Sequence, residues 1–532
     1  MKTKIKFIIL ILIGIFIFSA CEDRLDVDQR GTTAVTDFYK TDQDAEEAIA
    51  AVYFEFRANF LNWFWLHTML SDDIYTGGGG RGDNAFVERL NEFTYTPANR
   101  FVQDLFTSHY RVIYRCNLII DNVEATSPVQ QRVVAEAKLA RAFSYFYLVS
   151  LWGTPPLVLH ELAPSEYQQP NSSSAEIWAQ IEKDLTEAIS ANVLPEKSGA
   201  DDKSVGGRMT KQFAQVMLGK AYLWQNKYSE AAVQFNAVIN SGKYALIPDF
   251  ENLWRAEQDL GPERIFEVVD VNDPSNPNQG NFIINNLLGW RTDHMNIAGY
   301  FAGFHNIHFL GWGFNNPTKD VYNAFVEEEG VDGFRLKSSM LRYDQVLDIC
   351  TVPGFELTVG GQGLYGHEGY FSWKHRILGK EAVTGQVVYW HSNLLYLRYG
   401  EVLLLGAEAS LMAGDAGNAL NYINQIRDRA QLDPLGSVAL DDIKKEKRLE
   451  LWNEGVRYLD LQRWGDAATV MANKGAKIPT FFGFNDDGSN HVEYLHTNPA
   501  GAYGYKTGKH EYLPFPEHEM LVNPNIVQNT GW

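Results

Sequence analysis

Two stretches of this chain match one another at a shift of 188 residues, and that internal repeat constrains the fold more than any other feature. Within residues 210 to 241 and 397 to 428, Ala221 and Ala231 fall on Ala409 and Ala419, Phe235 falls on Ile423 and Val238 on Ile426. Small residues spaced this way allow two helices to cross closely, and the larger ones fill the groove, which is the logic of tetratricopeptide repeats. Each stretch carries a short break between its helices, Gln225-Asn226-Lys227 in one and Ala413-Gly414-Asp415 in the other. The expected architecture is therefore mostly α: helical pairs form a scaffold, and a loop-rich, irregular lobe is inserted between them.

Apolar residues at helical spacing extend this reading along the chain. Residues 42 to 60 are expected to form a helix capped by Thr41 or Asp42. Residues 101 to 125 and 130 to 152 form two more, the second stopped by Gly153, Pro155 and Pro156. Residues 174 to 191, 394 to 431 and 441 to 472 continue the pattern. The scaffold thus spans about 42–244 and 394–472. Residues 245–393 are rich in Gly, Asn and Pro with dispersed aromatics and form the insertion, and residues 473–532 form an irregular closing segment of turns and short extended pieces. Trp63 and Trp65 lie in a nearly continuous apolar run and are assigned to the core.

The amino end has a separate meaning. Lys2, Lys4 and Lys6 precede an apolar run from Phe7 to Phe18, then Ser19, Ala20 and Cys21. That is the form of a secretory signal peptide, and its run is too short for a bilayer core that needs roughly 20 helical residues. Small residues before a cysteine resemble a bacterial lipobox, although Phe18 stands where Leu is usual. Residues 1–20 are read as the removed signal and 21–41 as a tether lipidated at Cys21, with several acyl chains giving effectively permanent anchoring. Glu22, Asp23 and Asp26 resemble the surface-export signal of Bacteroidetes lipoproteins. Cys116, in a helical stretch, and Cys350, in an expected strand, read as small buried hydrophobes. The net charge of -20 repels phosphates and excludes nucleic acid as a partner.

Four further stretches carry a family resemblance: AEAKLARAFSYFYLVSLWGTPPLV (135–158), GWGFNNPTKDVYNAFVEEEGVDGFRL (311–336), the run from YLRYGEVLLLGAEASLMAGD to EKRLELWNEGVRYLDLQRWG (396–465), and the closing YLPFPEHEMLVNPNIVQNTGW. Together with the lipobox they resemble, in order, the SusD/RagB family of nutrient-uptake outer-membrane lipoproteins. The resemblance implies one SusD-like domain over residues 42–532, a packing role for Trp452, Tyr458 and Trp464, and a non-catalytic role at the cell surface. The protein would capture an oligo- or polysaccharide and pass it to a TonB-dependent, SusC-like transporter.

The resemblance also implies an aromatic binding arc built from the loops after the first helix and from the insertion. Flat rings suit the C–H face of a sugar, while amides, guanidinium groups and carboxylates take its hydroxyls. In the first region the candidates are Asp72, Asp73, Tyr75, Arg81, Asp83 and Asn84, around a Gly77–Gly80 run expected to expose its backbone. In the second they are Trp290, Arg291, Tyr300, Phe304, Trp312 and Asn315, with Trp290 and Trp312 favoured. The glycine run lacks the Lys-Ser/Thr of a phosphate loop. No metal site or cofactor is expected from the histidines, His367-Glu368 included, while Asp72-Asp73 offers the hard oxygens that a structural calcium would take. The rival readings are a glycoside hydrolase or lyase, which needs a carboxylate pair across the bond, and a helical docking protein without a small ligand.

Overall fold

The computed structural model describes residues 38–270, 287–295, 307–308, 311–350, 357–381 and 392–532. The first helix, α1 (Asp42–Met69), is 28 residues long and opens on a capping box in which Thr41 accepts from the Asp44 N–H. It runs past the expected end at residue 60 because the apolar run containing Trp63 and Trp65 continues the helix, and both rings are buried. After strand β1 (Ile74–Gly77) and short helix α2 (Ala85–Asn91), α3 (Arg100–Asn122) and α4 (Pro128–Trp152) form an antiparallel hairpin. Helix α4 combines a Ser127–Gln130 capping box and Pro128 in its first turn with a stop at Gly153, φ 73°. From Leu139 to Trp152 every side chain is buried, so α4 is the central rod on which α1, α3 and α5 (Ser174–Ser190) pack.

Stacked helix pairs follow. Helices α6 (Lys211–Trp224) and α7 (Tyr228–Ile239) form one hairpin, and α11 (Tyr399–Met412) and α12 (Ala416–Arg429) form the repeat-related one, with α11 lying directly on α7. The four repeat alanines are fully buried at these crossings. Gly219 shows how tight they are, since a Cβ there would come within 2.7 Å of the Phe235 ring. Helices α8 (Lys319–Glu329), α9 (Phe334–Ser339) and α10 (Tyr343–Cys350) lie within the insertion, between the two hairpins in sequence. Cys350 closes α10 and does not lie in a strand. Cys116 is fully buried, as expected.

The insertion leaves and re-enters the scaffold through one antiparallel pair, β2 (Arg264–Val268) with β7 (Leu394–Arg398), so β2 belongs to the scaffold although it lies inside the expected insertion. Within the insertion, β3 (Phe314–Pro317) pairs with β1, and β4 (Met340–Arg342) pairs with β6 (Tyr370–Ser372). The lobe has its own small core around Trp290, Tyr343, Leu364, Phe371, Trp373 and Phe481. Strand β5 (Leu364–Tyr365) pairs with β8 (Lys477–Phe484), whose other edge forms a hairpin with β9 (Asn490–Thr497).

Helices α13 (Leu440–Glu450) and α14 (Arg457–Trp464) bring the charged residues of the 446–464 stretch indoors. Arg398 bonds Glu263, Glu450 and Glu454 at 2.6–2.8 Å, Arg335 reaches Glu329, Glu446 and Glu450, and Lys374 reaches Glu454 at 2.6 Å. Trp452 and Tyr458 are buried, and the half-buried Trp464 donates to Glu408 at 2.9 Å. The closing segment returns to the central rod: the Trp152 indole N–H donates to the Pro514 carbonyl, Leu513 donates to Leu151, and the Asn529 amide bonds the carbonyls of Trp152 and Leu513.

Candidate functional site

The two candidate regions meet because β1 pairs with β3. Ile74, Tyr75 and Gly77 stand opposite Pro317, Asn316 and Phe314, and the Gly78 N–H extends the contact by donating to the Gly313 carbonyl at 2.8 Å. Gly313 in turn donates to Gly289, and Gly311 to Trp290, which brings residues 289–295 alongside.

The glycine run is what lets these segments touch. A Cβ on Gly77 would lie 2.0 Å from the Gly313 carbonyl oxygen, one on Gly78 would lie 2.7 Å from the Phe314 ring, and one on Gly79 would lie 2.9 Å from the Arg291 guanidinium. Gly77 and Gly78 are buried, so instead of exposing its backbone to a ligand the run seats Phe314 and Arg291. The Gly79 N–H is taken by the Asp83 carboxylate at 2.7 Å.

These contacts leave an open cleft of about 620 Å3, lined by Trp65, Asp83, Asn84, Arg291, Thr292, Asp293, Gly311, Trp312 and Phe314. The buried rings of Trp65 and Phe314, with centroids 5.4 Å apart, back it. Trp312 is 44% exposed and offers its ring to solvent. Arg291 is held by both oxygens of Asp293, at 2.9 and 3.0 Å, with Asp83 3.7 Å away on the other side. Partial burial pushes the Asp293 carboxyl up, but the hydrogen bonds and charge of Arg291 outweigh it and hold the group below the usual carboxylate range. The His294 ring stands 4.0 Å from Asp293 while its Nδ1 faces the Gly363 carbonyl at 3.2 Å.

Of the sequence-predicted residues, Trp312, Arg291, Asp83 and Asn84 come together here; Asn84 also caps α2, accepting the Val87 N–H at 3.4 Å. Trp290 does not. It is only 5% exposed, stacks with Trp373 and meets Phe371 edge-on in the lobe core, and donates its indole N–H to the Ser372 carbonyl, so it holds the lobe instead of meeting a ligand. Asn315 is fully buried in a left-handed conformation, φ 57°, and its amide ties Thr68 to Asn453. Asp73 is buried against Arg448 at 2.5 Å, and Asp72 is gripped by Arg457 at 2.9 and 3.0 Å. The oxygens that would have served a calcium ion are thus spent on guanidinium groups. Arg81 is tied to Glu92 and to the Tyr365 hydroxyl, and Tyr75 lies half-buried under the Lys474 ammonium. Neither lines the cleft. Tyr300 and Phe304 lie outside the described residues.

Asp293 and the backing pair Trp65 and Phe314 are residues that sequence reasoning missed as site components. The Arg-x-Asp spacing at 291–293 was the available signal. Among the described residues no three His, Cys, Asp or Glu side chains gather where a metal ion would sit. His367 accepts the Gly369 N–H at 2.9 Å, and Glu368 accepts the Lys319 N–H at 2.6 Å.

Comparison with known proteins places these features in context. A model of the SusD family matches residues 361–532, and a second, described as starch-binding associating with outer membrane, matches residues 26–223. SusD-like protein P2 of Formosa agariphila is 25% identical over 99% of both chains. The starch-binding protein SusD of Bacteroides thetaiotaomicron is 22% identical over 85% of this chain and 82% of its own length. Among solved structures, a laminarin binding SusD-like protein superimposes with a TM-score of 0.75 at 26% identity, over 93% of this chain and all of that one.

Proposed function

The chain belongs to the SusD family, and from that premise we propose that it is a surface glycan-binding lipoprotein that captures an oligo- or polysaccharide and delivers it to a TonB-dependent, SusC-like transporter. Anchoring is assigned to a lipidated Cys21 on the outer membrane, in keeping with the lipobox-like sequence. Among the described residues no helix is long and apolar enough to cross a membrane.

One observation carries the reading: Trp312 is a large exposed ring beside a cleft whose other walls are Arg291, Asp293, Asp83, Asn84 and Thr292. A pyranose laid on that ring buries apolar area, while its hydroxyls meet fixed donors and acceptors. The same cleft is poorly equipped for hydrolysis. A glycosidase needs a carboxylic acid with a raised pKa, whereas Arg291 keeps Asp293 ionised and engaged on both oxygens. The laminarin-binding and starch-binding relatives point to the same class of ligand.

The test uses protein that begins after residue 21, run through affinity gels containing polysaccharides and measured by calorimetry on the oligosaccharides that bind. Losing roughly 60 Å2 of ring contact removes about 1.5 kcal/mol, so Trp312→Ala is expected to weaken binding about tenfold. Unchanged affinity in that variant, or release of reducing ends by the wild type, would overturn the assignment.

A further inference from the structure

We infer that the Trp312 cleft is built for uncharged glycans and discriminates against polyanionic ones, with Asp83 and Asp293 as the specificity-determining residues. The inference rests on the cleft being the glycan site and narrows which glycans it takes.

Arg291 at first resembles an anion receptor, since a guanidinium in a cleft is the usual partner of a carboxylate or sulfate. Its surroundings remove that role. Asp293 occupies its Nε and Nη2 donors in a two-point pair, and Asp83 lies 3.7 Å from Nη1. The guanidinium packs against Gly79, where even one added carbon would lie 2.9–3.1 Å from its atoms, and the two-point pair with Asp293 holds it there.

Among the described residues the ionisable groups lining the cleft are therefore two carboxylates against one guanidinium, and the rest of that lining, Trp65, Asn84, Thr292, Gly311, Trp312 and Phe314, is uncharged. The carboxylates are also the more accessible partners: the Asp293 and Asp83 side chains are 61% and 42% exposed, and that of Arg291 is 22% exposed. His294, 4.0 Å from Asp293, is a further titratable group close to the triad.

A uronate or sulfate ester entering here meets two exposed negative charges before it meets the one positive charge they already neutralise. The formal charge of -20 over the whole chain adds to that repulsion. A neutral sugar loses nothing by the arrangement. Its hydroxyls donate to the free lone pairs of Asp83 and Asp293 and accept from the remaining N–H groups of Arg291, a pattern that matches neighbouring hydroxyls on one ring. Discrimination of this kind comes from a built-in repulsive element rather than from extra attraction.

The experiment compares two panels on soluble wild-type protein by affinity gel and calorimetry: laminarin, amylose and inulin against polygalacturonate, alginate and dextran sulfate. The expected result is Trp312-dependent binding confined to the neutral panel, with the best anionic probe at least about tenfold weaker. Raising salt from about 50 to about 500 mM should leave neutral binding flat and strengthen any residual anionic binding, because it screens repulsion.

Asp293→Asn and Asp83→Asn, singly and together and checked for an unchanged melting profile, should raise the anionic-to-neutral affinity ratio about tenfold. Wild-type binding of a polyanion that depends on Trp312 and matches or exceeds the neutral panel overturns the charge inference while leaving the cleft as a glycan site. Binding of any glycan that is indifferent to Trp312 overturns the site assignment and the inference together.

Discussion

Gly77 illustrates how much of this molecule depends on single positions. Its φ of 74° and a would-be Cβ 2.0 Å from the Gly313 carbonyl leave no room for a side chain at the join between scaffold and insertion. Gly77→Ala is expected to cost about 2–4 kcal/mol, through a disfavoured φ and a backbone clash that would open the β1–β3 pair. A shift of the thermal midpoint by several degrees, together with weaker binding at Trp312, would be the signature; a variant that melts and binds like wild type would refute the account of the glycine run. Trp312 and Trp290 show what a sequence can and cannot reveal at this scale. Both are tryptophans in a Gly- and Asn-rich stretch, so both read as candidate platforms. What separates them is the presence of Phe371 and Trp373 against Trp290, contributed from about 80 residues downstream. Nothing local to position 290 announces those partners.

At the scale of elements, the helices were legible because their periodicity and caps are local, and the repeat alanines at 221, 231, 409 and 419 marked the crossings. The β2–β7 pair was not legible, since its two strands are separated by the whole insertion and each is only five residues long. The same holds for the ionic cluster that fastens α13 to β7, α9 and α12. The EKRLELWNEGVRYLD run is dense in charge, yet Glu446, Lys447 and Glu450 are buried, and each finds a partner on another segment. Glu450 sits among Arg335, Arg398 and Arg429. Desolvation pushes its carboxyl up, but the three guanidinium charges and Lys374 outweigh it and hold the group far below its ordinary value. Glu450→Gln leaves those cations under-compensated indoors, and a loss of about 3–5 kcal/mol in denaturant-induced unfolding is expected. A loss below about 1 kcal/mol would show that the cluster tolerates an unpaired cation and is not a fastening.

Taken as a whole molecule, the protein also carries a pH-dependent weakness remote from the cleft. Glu136 is fully buried on α4, 3.4 Å from Arg132 and from Arg208, and burial pushes its carboxyl up to about 7 against the pull of those cations. A carboxyl that is harder to ionise when folded binds more protons in the native state between its unfolded value of about 4.5 and 7, so its contribution to stability is lost as pH rises through that window. Relative to Glu136→Gln, the wild type should lose about 3 kcal/mol between pH 4.5 and pH 8 in denaturant titrations; parallel pH profiles for the two proteins would sink this. The fold class was readable in advance because it follows from repeats and helix signals spread along the chain. The cleft was only partly readable, because it exists where residues 65, 83, 291 and 312 converge: Asp83, Arg291 and Trp312 were singled out beforehand, whereas Trp65 was assigned to the core and Asp293 was passed over. The return of residues 513–529 to Trp152 has a temporal side. The indole N–H of Trp152 finds its acceptor 362 positions later, and Phe515 packs on Phe106 from a similar distance. A polypeptide emerging amino end first therefore presents an unsealed seam along this hairpin throughout its own translation, and its greatest exposure to aggregation falls just before the final stitch is made.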